Sequence, residues 1–168
     1  MSFAPPSLQR DYVLCSQYDD ALDLPDVPDL AEDASAADRA HVEQLAADRA
    51  VRLKVARERG DWPIKQGRNP TRFTFRPVPR HSINWWLGEV GRHKKNDLES
   101  LELMFRLAIK EVDNFGSFKA QHEEIDGHRL LTVESLNALY AAGNGLGVKV
   151  VFELAEVVAM RASAPPLS

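Results

Sequence analysis

The sequence predicts a mainly α-helical protein: a small helical domain with one short β element, preceded by a long exposed helix and an extended N-terminal arm. Three observations lead to this fold class. Apolar residues recur at helical spacing through most of the second half, and only one segment clearly alternates with the period of a strand. The first 34 residues combine prolines with a run of acidic side chains.

Residues 1–34 are predicted to form an extended acidic arm, because too few apolar residues are present to offset the entropy lost on ordering. The next stretch is rich in Ala, Arg and Leu and lacks proline and glycine, which predicts one long helix over residues 35–60. Ser35 is a suitable N-cap and Gly60 a suitable end. The apolar stripe of this helix is narrow, so most of its surface is expected to be exposed.

Residues 61–162 are predicted to form the mainly helical globular domain, followed by a tail over 163–168. Its single β element is a strand near residues 71–76, where aromatic and polar side chains alternate. Pro77 and Pro79 cannot donate ladder hydrogen bonds, so this strand should lie at an edge or end there. The available partners are segments 116–120 and 127–131, or a strand from another subunit.

The rest of the domain is predicted to be helical. One helix covers about residues 81–93, and a second begins at Asn96, whose spacing to Glu99 fits a capping box, and runs through Val112. Thr132 caps a short helix that ends near Ala142. A glycine-rich break at residues 143–145 then separates it from a closing apolar helix over 148–160.

The net charge of −4 hides a segregation along the chain. Residues 1–51 hold 3 basic and 11 acidic residues, residues 52–95 hold 12 and 3, and residues 96–168 hold 6 and 11. The three segments therefore carry −8, +9 and −5. The basic middle segment indicates where an acidic partner, or the acidic arm of the chain itself, would dock.

Within this basic segment, cations are interleaved with aromatic side chains, a composition found in binding surfaces. The alternative is that the aromatics form core while the arginines point outward. Trp85 and Trp86 lie about 100° apart on a helix, so one of them is expected to rim an interface instead of facing the core. The predicted partner-binding residues are Arg72, Phe73, Phe75, Arg76, Arg80, Trp85 and Trp86.

Catalytic chemistry is the least supported class, because the chain has no nucleophile elbow, Walker loop or dinucleotide fingerprint. No catalytic residue, cofactor or metal site is predicted. The densest group of metal-ligand side chains, from His122 to His128, falls in a predicted polar loop that imposes no geometry. A hydrolase using this segment is the third hypothesis, after binding to a protein and binding to a nucleic acid.

The remaining composition excludes two further classes. No apolar run approaches the roughly 18 to 20 residues of a membrane helix, so no membrane partner is predicted. Cys15 is the single cysteine and cannot form an internal disulfide, which fits a reducing compartment. The start of the chain lacks the pattern of a secretory signal.

Residues 70–162 resemble, in layout, the tail-assembly-chaperone-like accessory proteins of tailed bacteriophages. The shared features are the Phe/Arg/Pro strand at 73–79, two mid-chain helices, the short helix that starts at Thr132 and the closing apolar helix before a Ser/Pro end. The resemblance implies a non-catalytic component of particle assembly, located in the virion or host cytoplasm. Its partners would be other phage structural or assembly proteins, with homo-oligomerisation left open, and no functional residue is carried over.

The alternative function is a regulatory protein that binds nucleic acid or host machinery through the basic segment 52–95.

Overall fold

The computed structural model describes residues 10–142 and 146–163, which form five helices and five strands. The strands are β1 (Tyr12–Leu14), β2 (Arg72–Phe75), β3 (Ile109–Asp113), β4 (His122–Ile125) and β5 (His128–Leu131). The helices are α1 (Ala36–Arg59), α2 (Arg80–Arg92), α3 (Asp97–Ala108), α4 (Val133–Ala141) and α5 (Leu146–Ser163). The start of the predicted arm, the glycine-rich break at 143–145 and the predicted tail after Ser163 lie outside the described residues.

The fold is α+β, so the prediction of a mainly α protein is wrong. Helices account for 50% of the described residues, but strands account for 15% of them and form two small antiparallel sheets. Three of the five strands escaped prediction because they are short and their alternation of apolar and polar residues is weak. Tertiary pairing, not local propensity, decides the structure of such segments.

The chain divides into two compact units. The main unit contains described residues 10–18 and 71–163, and the second unit contains residues 19–70. All five strands and helices α2 to α5 belong to the main unit, while α1 belongs to the second. The predicted basic segment 52–95 is therefore shared between the two units, with its aromatic-rich part, from Thr71 onward, in the main unit.

Strand β2 is the central strand of a sheet with the order β1-β2-β3, so of the two predicted alternatives the edge position is wrong and the end of the strand before Pro77 is confirmed. It pairs antiparallel with β1, from the segment predicted to be an arm, and with β3. Neither partner is one of the two segments proposed from the sequence. Pro77 and Pro79 follow the strand and end it without interrupting the ladder. Because both of its edges are paired within the chain, β2 gives no support to a strand from another subunit.

The N-terminal segment contributes core as well as a strand. Leu14 and Cys15 are fully buried, and Tyr12 stacks on Phe75 with the ring centroids 5.7 Å apart. Both carboxylate oxygens of Glu153 on α5 accept hydrogen bonds from the backbone N–H of Gln17. The described residues from 10 to 18 are thus an integral part of the main unit.

Helix α3 passes directly into strand β3 at Ile109, whereas the sequence predicted one helix through Val112. Asn96 caps the helix as predicted, accepting a hydrogen bond from the backbone N–H of Glu99. The spacing of Ile109 and Val112 suits a helix and would place them on opposite faces of a regular strand. Pairing with β2 overrides it, since the irregular register sets Ile109 opposite Phe75 and Val112 opposite Phe73, on one face. A register shift between Thr74 and Phe75 adjusts the ladder near this junction.

Residues 122–131 form a β-hairpin, not the predicted polar loop. Strands β4 and β5 pair from His122 opposite Leu131 to Ile125 opposite His128. Asp126 and Gly127 form the turn with φ angles of 52° and 81°, the two positive values typical of a type I′ turn. The turn predicted at Gly127 is confirmed, and β5 coincides with the candidate strand at 127–131, although it pairs with β4 and not with β2.

The predicted helices outside the α3–β3 junction are confirmed. Helix α1 starts after Ser35, whose side chain accepts from the N–H of Asp38, and ends at Gly60. Thr132 caps α4 by accepting from the N–H of Ser135. Helix α5 packs against α3 and α4. The most deeply buried large side chains all lie in the main unit: Leu14, Phe75, Met104, Phe105, Leu107, Ile109, Leu130, Leu131, Leu136, Val151, Leu154 and Val158.

The second unit contains α1, most of whose surface is exposed, as its narrow apolar stripe predicts. Only Leu53 and Ala56 of this 24-residue helix are buried. The segment before it is tied to the segment after it by a bridge between Leu22 and Ile64, flanked by two backbone hydrogen bonds of 2.8 Å. Across residues 10–142 and 146–163, no helix has the length and hydropathy needed to cross a bilayer.

The positive φ angle of Gly127 in the hairpin turn predicts the effect of a substitution on stability. Gly127→Ala should destabilise the protein by about 1–2 kcal/mol, because its positive φ is strained for a residue with a Cβ. Gly91→Ala is the matched control: it lies within α2, with open space where the added methyl group would lie, and should stabilise by about 0.5–1 kcal/mol. Urea unfolding of both variants measures the difference, and equal shifts would contradict the turn assignment.

Candidate anion-binding site

The structure separates the residues predicted to bind a partner. Phe73 and Phe75 are 3% and 0% exposed, so their rings belong to the core and are closed to a partner. Arg72 lies opposite Asp113 in the β2–β3 ladder, and Arg80 is exposed at the start of α2. Of the predicted arginines, Arg76 alone joins a cluster of cationic side chains in the described structure.

Trp85 and Trp86 are both partly buried against the same apolar cluster of Leu103, Leu107 and Leu130, so the argument that they cannot face one core is wrong, while the rim position of one of them stays a prediction. The indole N–H of Trp86 donates to the carbonyl of Ser100 on α3 over 2.8 Å. The indole N–H of Trp85 donates to Asp126 in the hairpin turn over 3.1 Å. Two adjacent indoles can share one cluster because one is directed to α3 and the other to the hairpin.

Arg76 is anchored at the junction of α3 and β3. Its backbone N–H donates to the carbonyl of Ala108 and its Nε–H to the carbonyl of Leu107, both over 2.8 Å. One Nη2–H donates to the carbonyl of Arg129 over 3.2 Å. The carbonyls at the end of a helix lack intrahelical donors, so a cation is favourable there. These bonds fix the guanidinium and leave its Nη1 group without an acceptor among the described residues.

His122 is held at the same junction by the next carbonyl along the chain. Its Nε2 lies 2.9 Å from the carbonyl oxygen of Ile109, which can only accept, so Nε2 carries a proton. In the neutral ring Nδ1 is then an acceptor, and it faces Nη2 of Arg129 at 3.4 Å. The imidazole therefore positions the Arg129 side chain.

Arg129 completes the cluster from the exposed side of β5. It shares a face of the hairpin with His122, since residues opposite or two apart in an antiparallel ladder point the same way. Within residues 10–142 and 146–163, neither Arg76 nor Arg129 forms an ion pair with a carboxylate. Helix capping accounts for Arg76 and His122, but it does not account for Arg129.

The two guanidiniums repel each other, and both disfavour a positive charge on His122. Burial, followed by the positive charge of Arg129, lowers the pKa of the Arg76 guanidinium. Burial also lowers the pKa of His122; the hydrogen bond to Ile109 opposes this shift, and the charges of Arg129 and Arg76 add to it. Two cations gathered without a carboxylate form a site that an anion would stabilise.

A second pair of polar side chains, Ser82 and His128, lies on the opposite face of the hairpin. The Ser82 hydroxyl lies 2.9 Å from Nδ1 of His128, but Ser82 is only 1% exposed and so is closed to a substrate. The His128 ring stacks on Trp85, with the centroids 4.7 Å apart, and contacts the tilted ring of His81 at 5.4 Å. No group of three His, Cys, Asp or Glu side chains in the described part of the chain is arranged to hold a metal ion.

Sequence reasoning missed Arg129 and did not connect His122 with Arg76. The available signal was the Asp126-Gly127 dipeptide between two segments of strand length, a pattern typical of a type I′ hairpin. Pairing across that turn places His122 and Arg129 on one face. Their approach to Arg76, which is 53 residues from Arg129 in the chain, is a tertiary effect with no local signal.

Comparison with protein-family models, with curated proteins and with solved structures finds no match for this chain. The candidate site therefore rests on its own geometry and electrostatics.

The unpaired charge of Arg129 makes a prediction about stability. Arg129→Gln should raise the unfolding temperature slightly at low ionic strength, because it removes repulsion with Arg76. The increase should shrink at high salt, where exposed charges are screened. Lys54→Gln, which removes a cation from the second unit, is the control. A salt-insensitive loss of stability in Arg129→Gln would show that Arg129 has a structural partner instead.

The lowered pKa of His122 predicts how the free energy of unfolding depends on pH. Its pKa in the folded protein lies below the ordinary 6.5, so the unfolded chain takes up a proton first as the pH falls. The free energy of unfolding should therefore fall from about pH 6.5 down to the folded-state pKa of His122. His122→Gln should lose less stability between about pH 7.5 and 5.5 than the unmodified protein in urea unfolding, and equal losses would contradict a neutral His122.

Proposed function

We propose that the protein is a non-catalytic binding component that docks an anionic segment of a partner protein at Arg76 and Arg129. The observation that carries this proposal is the position of Arg129 beside Arg76, whose guanidinium is held by two backbone carbonyls, while neither arginine pairs with a carboxylate among the described residues. Guanidiniums bind carboxylate and phosphate groups through paired N–H donors. A site fixed in advance loses less side-chain entropy on binding.

A protein partner fits the surroundings of the site better than a nucleic acid does. Single-stranded nucleic acids are held by exposed aromatic faces along a continuous basic groove. Here Phe73 and Phe75 are buried, and Trp85 stacks on His128. The hairpin also carries Glu123, Glu124 and Asp126, which would repel a long polyanion but leave room for one anionic group.

The resemblance of residues 70–162 to bacteriophage tail-assembly-chaperone-like proteins supplies the setting of the proposal. In that setting the partner is another structural or assembly protein, and the complex forms in the virion or the host cytoplasm. Co-elution with the products of neighbouring genes tests this setting. A partner that binds the unmodified protein and Arg129→Gln equally well would dock elsewhere.

The proposed docking predicts binding of a labelled peptide that carries a single acidic residue, aspartate, among neutral residues. We expect binding at low salt by fluorescence anisotropy, with roughly tenfold weaker affinity for Arg129→Gln, since one charge-assisted contact is lost. Lys54→Gln should bind as the unmodified protein does. Labelled single-stranded DNA should show no electrophoretic shift; a salt-dependent shift that Arg129→Gln abolishes would favour the nucleic-acid alternative and overturn the proposal.

A further inference from the structure

The number of charges at the site bears on the ligand that it takes. Arg76 and Arg129 place two positive charges together, and the charge of Arg129 adds to burial in lowering the pKa of Arg76. A single carboxylate carries one negative charge and would leave one guanidinium uncompensated. A phosphate monoester carries a charge of about −1.5 to −2 at neutral pH and would compensate both.

The guanidinium N–H groups that lack an acceptor within the described ranges also favour a phosphate over a carboxylate. Arg76 commits Nε and one N–H of Nη2 to backbone carbonyls, which leaves both N–H groups of Nη1 available. Arg129 makes one long contact, to His122, and its other N–H groups have no acceptor in the described structure. Donors that come from two side chains match the three terminal oxygens of a phosphate monoester better than the two oxygens of a carboxylate.

A carboxylate already lies beside the site and does not pair with it. Glu124 is directly opposite Arg129 in the β4–β5 ladder, on the same face of the hairpin. Its side chain is exposed and lies beyond ion-pair distance of Arg129. Glu124 would repel an incoming anion, and a dianion more than a monoanion, so a phosphate is preferred because the attraction of two guanidiniums outweighs the repulsion of this one carboxylate.

We propose that the Arg76–Arg129 site binds a phosphate monoester dianion in preference to a carboxylate. This inference rests on the proposed function and names the chemical group that the anionic partner segment carries. The same group occurs on a phosphorylated serine or threonine and in free inorganic phosphate. His122 acts as a positioning residue, because Nδ1 orients Arg129 while Nε2 is tied to Ile109.

The test compares two peptides that differ only at one central position, phosphoserine in one and aspartate in the other. Isothermal titration at about pH 7.5 and low salt should show roughly tenfold or greater preference for the phosphopeptide. Arg129→Gln should remove the preference, Glu124→Gln should strengthen binding of both peptides, and Lys54→Gln should change neither. Inorganic phosphate should displace the phosphopeptide and raise the unfolding temperature of the unmodified protein but not of Arg129→Gln.

The results of these titrations support or overturn the preference for phosphate as follows. Equal affinity for the two peptides would overturn the phosphate preference while leaving the proposed function standing. Binding of neither peptide would overturn both. If phosphopeptide binding survives excess inorganic phosphate or survives Arg129→Gln, the peptide is held by other residues and the site assignment falls. Stabilisation by inorganic phosphate without phosphopeptide binding would confirm the anion chemistry but overturn its placement on a partner protein.

Discussion

The end of helix α3 is the constraint on which the rest of the main unit depends. Three successive carbonyls, of Leu107, Ala108 and Ile109, accept hydrogen bonds from Arg76 and His122 instead of continuing the helix. A helix end inside a packed body needs such donors, because unpaired buried carbonyls are costly. The chain can then enter β3 without a loop and pair with β2.

The same contacts link the architecture to the candidate site. Arg76 follows the central strand of the sheet, and His122 begins the hairpin, so both are brought to the junction by the fold. Their capping role fixes the cationic Arg76 and the neutral His122 before any ligand arrives. Arg129 is then added from the exposed face of β5, where capping does not require it. The site thus consists of two residues that cap the end of α3, Arg76 and His122, and one further cation, Arg129, that lies beside them.

The aromatic side chains of the basic segment that lie in the main unit pack into its core, although their interleaving with cations is typical of a binding surface. The basic segment does interleave cations and aromatics, but Phe75 packs edge-on against Phe105, with centroids 5.7 Å apart, and both tryptophans pack on the α3 cluster. The aromatics therefore build the core that holds the arginines in place. For Phe73, Phe75, Trp85 and Trp86 the structure agrees with the alternative that the aromatics of this segment form core.

The sequence by itself determined the long helix α1, the caps at Ser35, Asn96 and Thr132, and strand β2, because capping and periodicity act between residues that are close along the chain. Only the tertiary structure decided that β1 and β3 flank β2, that Ile109 leaves the helix, and that Arg76, His122 and Arg129 meet. These outcomes depend on pairing and burial between distant segments. Local propensities are too small, and too evenly balanced between helix and strand, to fix them.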